Sequence, residues 1–443
     1  MFQSNSRAMK RNISLLILLS MILLQACSPN PSAGEQPAEA RLGEIHFEVT
    51  GAPEAQEYFT EGLLLLHSFE YADARTAFKK AQEIDPGFAM AHWGEAMTHN
   101  HSLWRNQDQV AAQEALKALG ATPEERLAKA GSELERDFLQ AAEKLFFGEE
   151  DKFDRDQAYS DWLGRLYQKY PGNHEVAAFY ALSLLGAVPV GRDEEAYGQG
   201  ARIAQGILKE NPNHPGALHY LIHSYDDPGH AHLAKLAADS YSEVAPDAAH
   251  ALHMPSHIYV ALGMWDEVVA SNIASYEASV KRMERMELDN DGRSYHAFAW
   301  LLYGYLQQGQ FDRARTILED MVKYTEEKPS RGARSYLVEM KGSYLVQTGR
   351  WDDPLADVEV DLNSLNIVNR AEYAFLEGRK AFEKKQIDTL KIIIDNLQEE
   401  IRGASNLVSD EGVPMCSAPS AVQPNKLDVD QAIVMEMELR ALH

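Results

Sequence analysis

Between residues 55 and 400 the apolar positions recur at spacings of three and four, the period of helices with one buried face, and glycine or proline interrupts them at intervals. The pattern predicts short antiparallel helix pairs joined by tight turns. Residues 54–86 form the clearest pair. Gly62 and Ala74 are small enough for two helices to approach closely, Phe78 and Ala81 give the second helix an apolar seam towards the next pair, and Pro86 ends it. Residues 45–49 alternate apolar and polar and read as a short extended piece.

Weaker copies follow. Gly263 with Trp265, Gly309 with Phe311 and Gly349 with Trp351 each set an aromatic two residues after a turn glycine. Residues 310–314 suit the start of a second helix, whereas Pro354 should interrupt the helix that Trp351 would open. Pro212 and Pro246 stand 34 residues apart. These features resemble the tetratricopeptide repeat, whose unit is about 34 residues. The resemblance covers most of residues 55–400 and implies an all-α fold, a solenoid of helical hairpins. About a ligand it implies almost nothing.

Between residues 104 and 170 the pattern loosens. Thr122-Pro123-Glu124-Glu125 is a capping box with proline at the first helical position, and it predicts one long helix running towards Phe147. Residues 154–170 read as another amphipathic helix. Together they predict an irregular insertion able to fold over the solenoid. Residues 403–425 read as a loop, and 427–442 as a final helix that covers the last apolar face of the array. The expected organisation is a signal peptide over 1–26, a lipid-anchored tether over 27–44, a helical solenoid over 45–402, and a loop with a capping helix over 403–443.

The N-terminal end bears on where such an array works. Arg7, Lys10 and Arg11 precede an apolar run over 13–24, of signal-peptide length and too short to span a bilayer comfortably. Leu24-Gln25-Ala26-Cys27 resembles the lipobox of bacterial lipoproteins. That resemblance implies a lipid on Cys27, and Ser28 in the following position implies the outer membrane, with the array facing the periplasm. Residues 28–41 are rich in Pro, Ala, Ser, Gly and Glu and read as a flexible tether. Cys416 is the only other cysteine, so no disulfide framework is expected. The formal net charge is −25, and because the leader holds three basic and no acidic residues its removal leaves −28. Such a surface repels phosphate backbones and anionic lipid, so nucleic acid is not an expected partner and the membrane is met through the lipid alone.

Eight of the 16 histidines fall between residues 214 and 257. His219 and His223 form one HxxxH pair and His253 and His257 a second, with His250 just ahead. Residues four apart share a helix face, so both imidazoles of a pair can meet one cation. The pairs stand 34 residues apart, seven and eleven residues after Pro212 and Pro246, and so occupy equivalent positions of consecutive units. The family resemblance implies that these positions face the concave groove. Packed helices lie about 8–10 Å apart, and an ion about 2.0–2.1 Å from a ring nitrogen lies roughly 6 Å from that residue's Cα. Facing pairs can therefore share one ion or hold two adjacent ones. Asp226, His296, His99 and His101 are further candidates, and a His/carboxylate set suits a divalent transition metal such as zinc, iron or copper. Pro255 is expected to kink the second helix and turn His257 away from His250 and His253. His230 and His232, near a turn, read as solvated.

A long concave surface suits a protein or peptide partner. Trp93, Trp300 and Tyr303 are among the aromatics that serve as core or as anchors. Three readings follow. The first is a binding scaffold with a histidine-lined metal or ligand site in its groove. The second is a metal-dependent hydrolase or oxidase using the same rings with Asp226 as base, and the third is a metal-capture protein. No HExxH is present, which weakens a peptidase reading, and there is no glycine-rich phosphate loop or nucleophile elbow. The chain resembles bacterial tetratricopeptide lipoproteins with similar HPGALHYLIH and HMPSHIY stretches, a resemblance that brings no activity with it.

Overall fold

Glycine and proline punctuate the helices much as the pattern requires in a computed structural model that describes residues 41–189, 191–408 and 424–443. The pair over 54–86 forms as Pro53–His67 and Tyr71–Ile84. Phe78 lies against Gly62 of its partner helix and Gly94 of the next, Ala89–Met97; a Cβ there would meet its ring at 2.8 and 2.4 Å. Two bare backbones thus let one buried ring fasten three helices. Gly263 and Gly309 adopt left-handed φ of 70° and 67°. Trp265 and Phe311 then open the helices Trp265–Arg285 and Phe311–Glu327. After Trp351 only a 3-10 turn forms, Pro354–Asp357, as expected of a proline in that place.

The centre of the array is built from hairpins whose first helices stack side by side: His174–Gly186, Pro215–Ser224, the broken helix Ala249–His253 with Pro255–Ala261, Tyr295–Gln307 and Arg331–Thr348. The result is all-α. Among the described residues the only strands are the two-residue pair Asn100–His101 and Asn106–Gln107.

Tertiary contacts override local propensity at the loosened stretch. The Thr122 capping box forms, but its helix, Pro123–Leu127, is short, and a second, Glu133–Phe147, begins after Ser132. The single long helix predicted there is wrong. Buried Glu135 accepts the N–H groups of Thr50 and Gly131 at 2.7 Å each, and a side chain at Gly131 would collide with Thr50. These helices make their main contacts with one another and with helices near them in sequence, Ala89–Met97 and Lys152–Lys169.

The N-terminal part of the described chain is what folds back. Leu42 is buried, Glu44 N donates to Asn213 O at 2.9 Å, and Phe47 packs on Phe59 and Phe138. The turn after His67 reaches the middle of the array. There Tyr241 OH donates to Ser68 Oγ at 3.1 Å, His250 N donates to Glu70 at 2.8 Å, and Asp73 pairs with Arg282. At the other end Lys426–Leu442 starts at an Asn425/Asp428 capping box and buries Val429, Ala432 and Leu439 against Ile367–Glu383 and Ile387–Ser405. The leader over 1–26, Cys27, the tether up to residue 40 and Cys416 lie outside the described residues. No described helix is long and apolar enough to cross a membrane.

Candidate metal centre

Two hairpins bring the histidine pairs together. His219 and His223 lie on Pro215–Ser224, which opens with proline at its first position and His214 Nδ1 accepting from Ala217 N at 3.2 Å. His253 ends one short helix and His257 lies in the next. Pro255 supplies no N–H, but Met254 keeps helical angles (φ −53°, ψ −36°), so the chain continues in the same direction. The Nε2 atoms of His253 and His257 stand 3.1 Å apart. The turning away of His257 expected from Pro255 does not occur.

Three groups of side chains converge closely enough to hold a metal: His219, His223 and His250; His253, His257 and His296; and His67, Glu175 and His214. Within each group the offered atoms lie within 4.8 Å of one another. The first two groups adjoin, with ring centroids 6.0 Å apart between His223 and His257 and 6.1 Å between His250 and His253. His99 and His101 join neither group; His101 stacks on Tyr71 at 4.0 Å and turns Nε2 to Thr98 O at 3.2 Å. Asp226 holds His257 Nδ1 at 2.8 Å. His230 sits half-exposed on Asp227 and His232 is exposed.

The outer nitrogens decide what the inner ones can do. His219 Nδ1 donates to His67 O at 2.7 Å, which leaves its Nε2 as a lone pair. Asn272 donates its amide to Val268 O and so presents Oδ1 to His253 Nδ1 at 2.8 Å. His257 Nδ1 faces the Asp226 carboxylate. Both rings of the second pair therefore carry their proton outside and aim lone pairs at each other across 3.1 Å. Two acceptors at that distance repel unless a cation lies between them. Two metal–nitrogen bonds of about 2.0–2.1 Å, meeting at tetrahedral or right angles, separate their nitrogens by roughly 2.9–3.4 Å. A proton could bridge them only as a buried imidazolium.

Burial opposes that proton. His219, His223, His253 and His257 are all at most 4% exposed. Removal from water pushes His219 and His296 down to about 3, and His223, His250 and His253 well below the ordinary histidine range. Neighbouring rings reinforce the effect. Those five rings stay neutral, which is the form that ligates metal. His250 Nε2 and His223 Nδ1 are buried with no hydrogen-bond partner among the described residues. Aromatic rings wall the cluster: Phe69 at 4.3 Å from His219, Trp104 at 6.0 Å from His250, Trp300 at 4.6 Å from His257.

The third group has another character. His67 lies between Tyr220 OH, 2.9 Å from Nδ1, and Glu175, 2.7 Å from Nε2, while His214 Nε2 stands 3.2 Å from the other carboxylate oxygen. Burial by itself would raise the Glu175 pKa, but the two imidazoles hold it well below the carboxylate range. It anchors His67, whose carbonyl orients His219. His67, Glu175 and Asn272 carry no local signature of these roles, since their partners lie 19 to 153 residues away.

No family model matches the chain, and no curated protein matches it. Solved structures do. Yeast Tom70 is similar at 10% identity and a TM-score of 0.34, over 88% of this chain and 90% of that one. A Rap protein complexed with competence and sporulation factor is similar at 13% identity and 0.38, over 88% and 100%.

Proposed function

We propose that this is a metal-binding helical-repeat protein of the cell envelope, in which the buried histidine cluster holds a divalent transition metal and the adjoining groove receives a protein or peptide. The observation that carries the reading is the facing pair of lone pairs on His253 and His257, each fixed by an outer partner. Imidazole ligands suit zinc, copper, iron or nickel. The envelope location rests on the leader and on Leu24-Gln25-Ala26-Cys27. The groove reading is supported by an open pocket beside the cluster, with Trp300, Tyr303, Met340 and Glu339 in its lining. Nucleic acid remains outside the proposal on grounds of charge. Among the alternatives, a hydrolase with Asp226 as base is the less favoured, because that carboxylate is engaged in orienting His257. Metal analysis of protein purified without a histidine tag tests the reading. A stoichiometric transition metal is expected, in reduced amount in a folded His253→Ala/His257→Ala variant; its absence after exposure to zinc, copper, iron and nickel would defeat the metal centre.

A further inference from the structure

The repeat register adds something that the cluster viewed as a single patch does not. His219 and His223 are the fifth and ninth residues of the helix beginning at Pro215, and His253 and His257 the fifth and ninth counted from Ala249. The third member of each group also repeats. His250 is the second residue of Ala249–His253, the first helix of the hairpin after the first pair, and His296 is the second residue of Tyr295–Gln307, the first helix of the hairpin after the second. Each group is therefore an HxxxH pair from one hairpin closed by the second residue of the next. The ring centroids follow the same rule: His219 to His250 is 5.0 Å and His253 to His296 is 4.5 Å. The series is bounded on both sides. The fifth and ninth residues are Ala178 and Leu182 in the preceding first helix and Ala299 and Tyr303 in the following one.

Resting on the metal-centre reading, the geometry points to two metal sites in consecutive repeats: His219/His223/His250 for one transition-metal ion and His253/His257/His296 for a second beside it. Three imidazoles leave each ion with an open position, as in sites that bind an exogenous ligand. All six ligands are imidazoles, which bind metal uncharged. Two dications in a water-poor pocket therefore call for small anions, hydroxide or carboxylate, in the open positions.

Stoichiometry tests it. Full-length metal-free protein is titrated with zinc and the bound ions are counted, alongside circular dichroism and a thermal melt for each variant. Wild type is expected to take two ions per chain, and His219→Ala/His223→Ala and His253→Ala/His257→Ala one each. His296→Ala, at a half-buried ring that the fold needs less, is expected to weaken one ion at least 10-fold and spare the other. One ion in wild type, abolished by either double change in folded protein, would overturn the two-site inference and leave the metal centre standing. Loss of both ions with either pair would also overturn it. No ion at all, with zinc and then with copper, iron and nickel, would sink the metal-centre reading itself.

Discussion

Asp226 illustrates how a residue outside the ligand set governs it. Its carboxylate accepts the Nδ1–H of His257 and so turns the Nε2 lone pair towards His253. Asp226→Ala is expected to weaken metal affinity about 10–100-fold, with the metal-free melting temperature little changed, as read by competition with a chelator. Protonation supplies a second prediction. In metal-free protein His219 and His296 titrate at about 3, against about 6.5 in an unfolded chain. The folded-state values are depressed, so below pH 6.5 the unfolded chain binds more protons. Stability is then full above that pH and falls towards pH 3, by about 1.4 kcal/mol per pH unit for each such ring. Glu339 and Glu372 act oppositely. Burial raises them to about 7 and 8, with Glu339 adding to the effect on Glu372. Their contribution is full below about pH 4.5 and fades as pH rises to those values. Glu372→Gln should therefore raise the melting temperature at pH 8.5 and leave it unchanged at pH 4. In a Glu339→Gln/Glu372→Gln background, a metal-free melting profile that stayed flat from pH 6.5 to 4 would contradict the neutral imidazoles. At this scale the HxxxH pairs were legible because their geometry is local. The outer partners were not, because Asn272 lies on the second helix of the His253 hairpin and the His67 carbonyl arrives from a distant one.

Helices were legible where their punctuation acted alone and illegible where a distant segment intervened. Gly263 and Gly309 turn as their spacing implies, and Pro354 stops a helix. Gly131 breaks one only because Thr50 and Glu135 meet there. Pro255 shows the converse: a proline expected to scatter the ligands instead begins a new helical segment in line with the last, and the pair survives. His296, one of the lesser candidates in the sequence, falls in a cluster because helix starts, and not sequence spacing, set the register of the third ligand. The same second position is Gly216 in the helix carrying His219. A Cβ there would stand 2.4 Å from His67 Nδ1. In a close-packed interior that contact forces a shift, so Gly216→Ala should cost about 1–3 kcal/mol. Displacing His67 should also loosen the brace on His219. A denaturant melt measures the first effect and metal affinity the second; an unchanged midpoint would show that this approach is not tight.

A solenoid in which each repeat touches only its neighbours is quasi-one-dimensional, and its parts can open independently. This molecule departs from that scheme because its first hairpin closes over the middle of the array, through Ser68 on Tyr241, Glu70 on His250 and Asp73 on Arg282. Nothing in the repeat signature announces such closure; it depends on side chains more than 170 residues apart. Phe69 stands at the junction. It holds a left-handed φ of 57°, which costs a non-glycine residue about 1–2 kcal/mol. Its ring lies 4.3 Å from His219 and 5.6 Å from His250. The backbone strain is offset by burying that ring over the cluster. Phe69→Ala removes the cover and leaves all six imidazoles in place. The expected result is a loss of about 3–5 kcal/mol of stability, unchanged metal stoichiometry and markedly faster extraction of metal by a chelator, followed by stopped-flow. Extraction at the wild-type rate from a destabilised Phe69→Ala protein would mean that metal enters and leaves past Trp300, and that the first hairpin fastens the array without guarding the site.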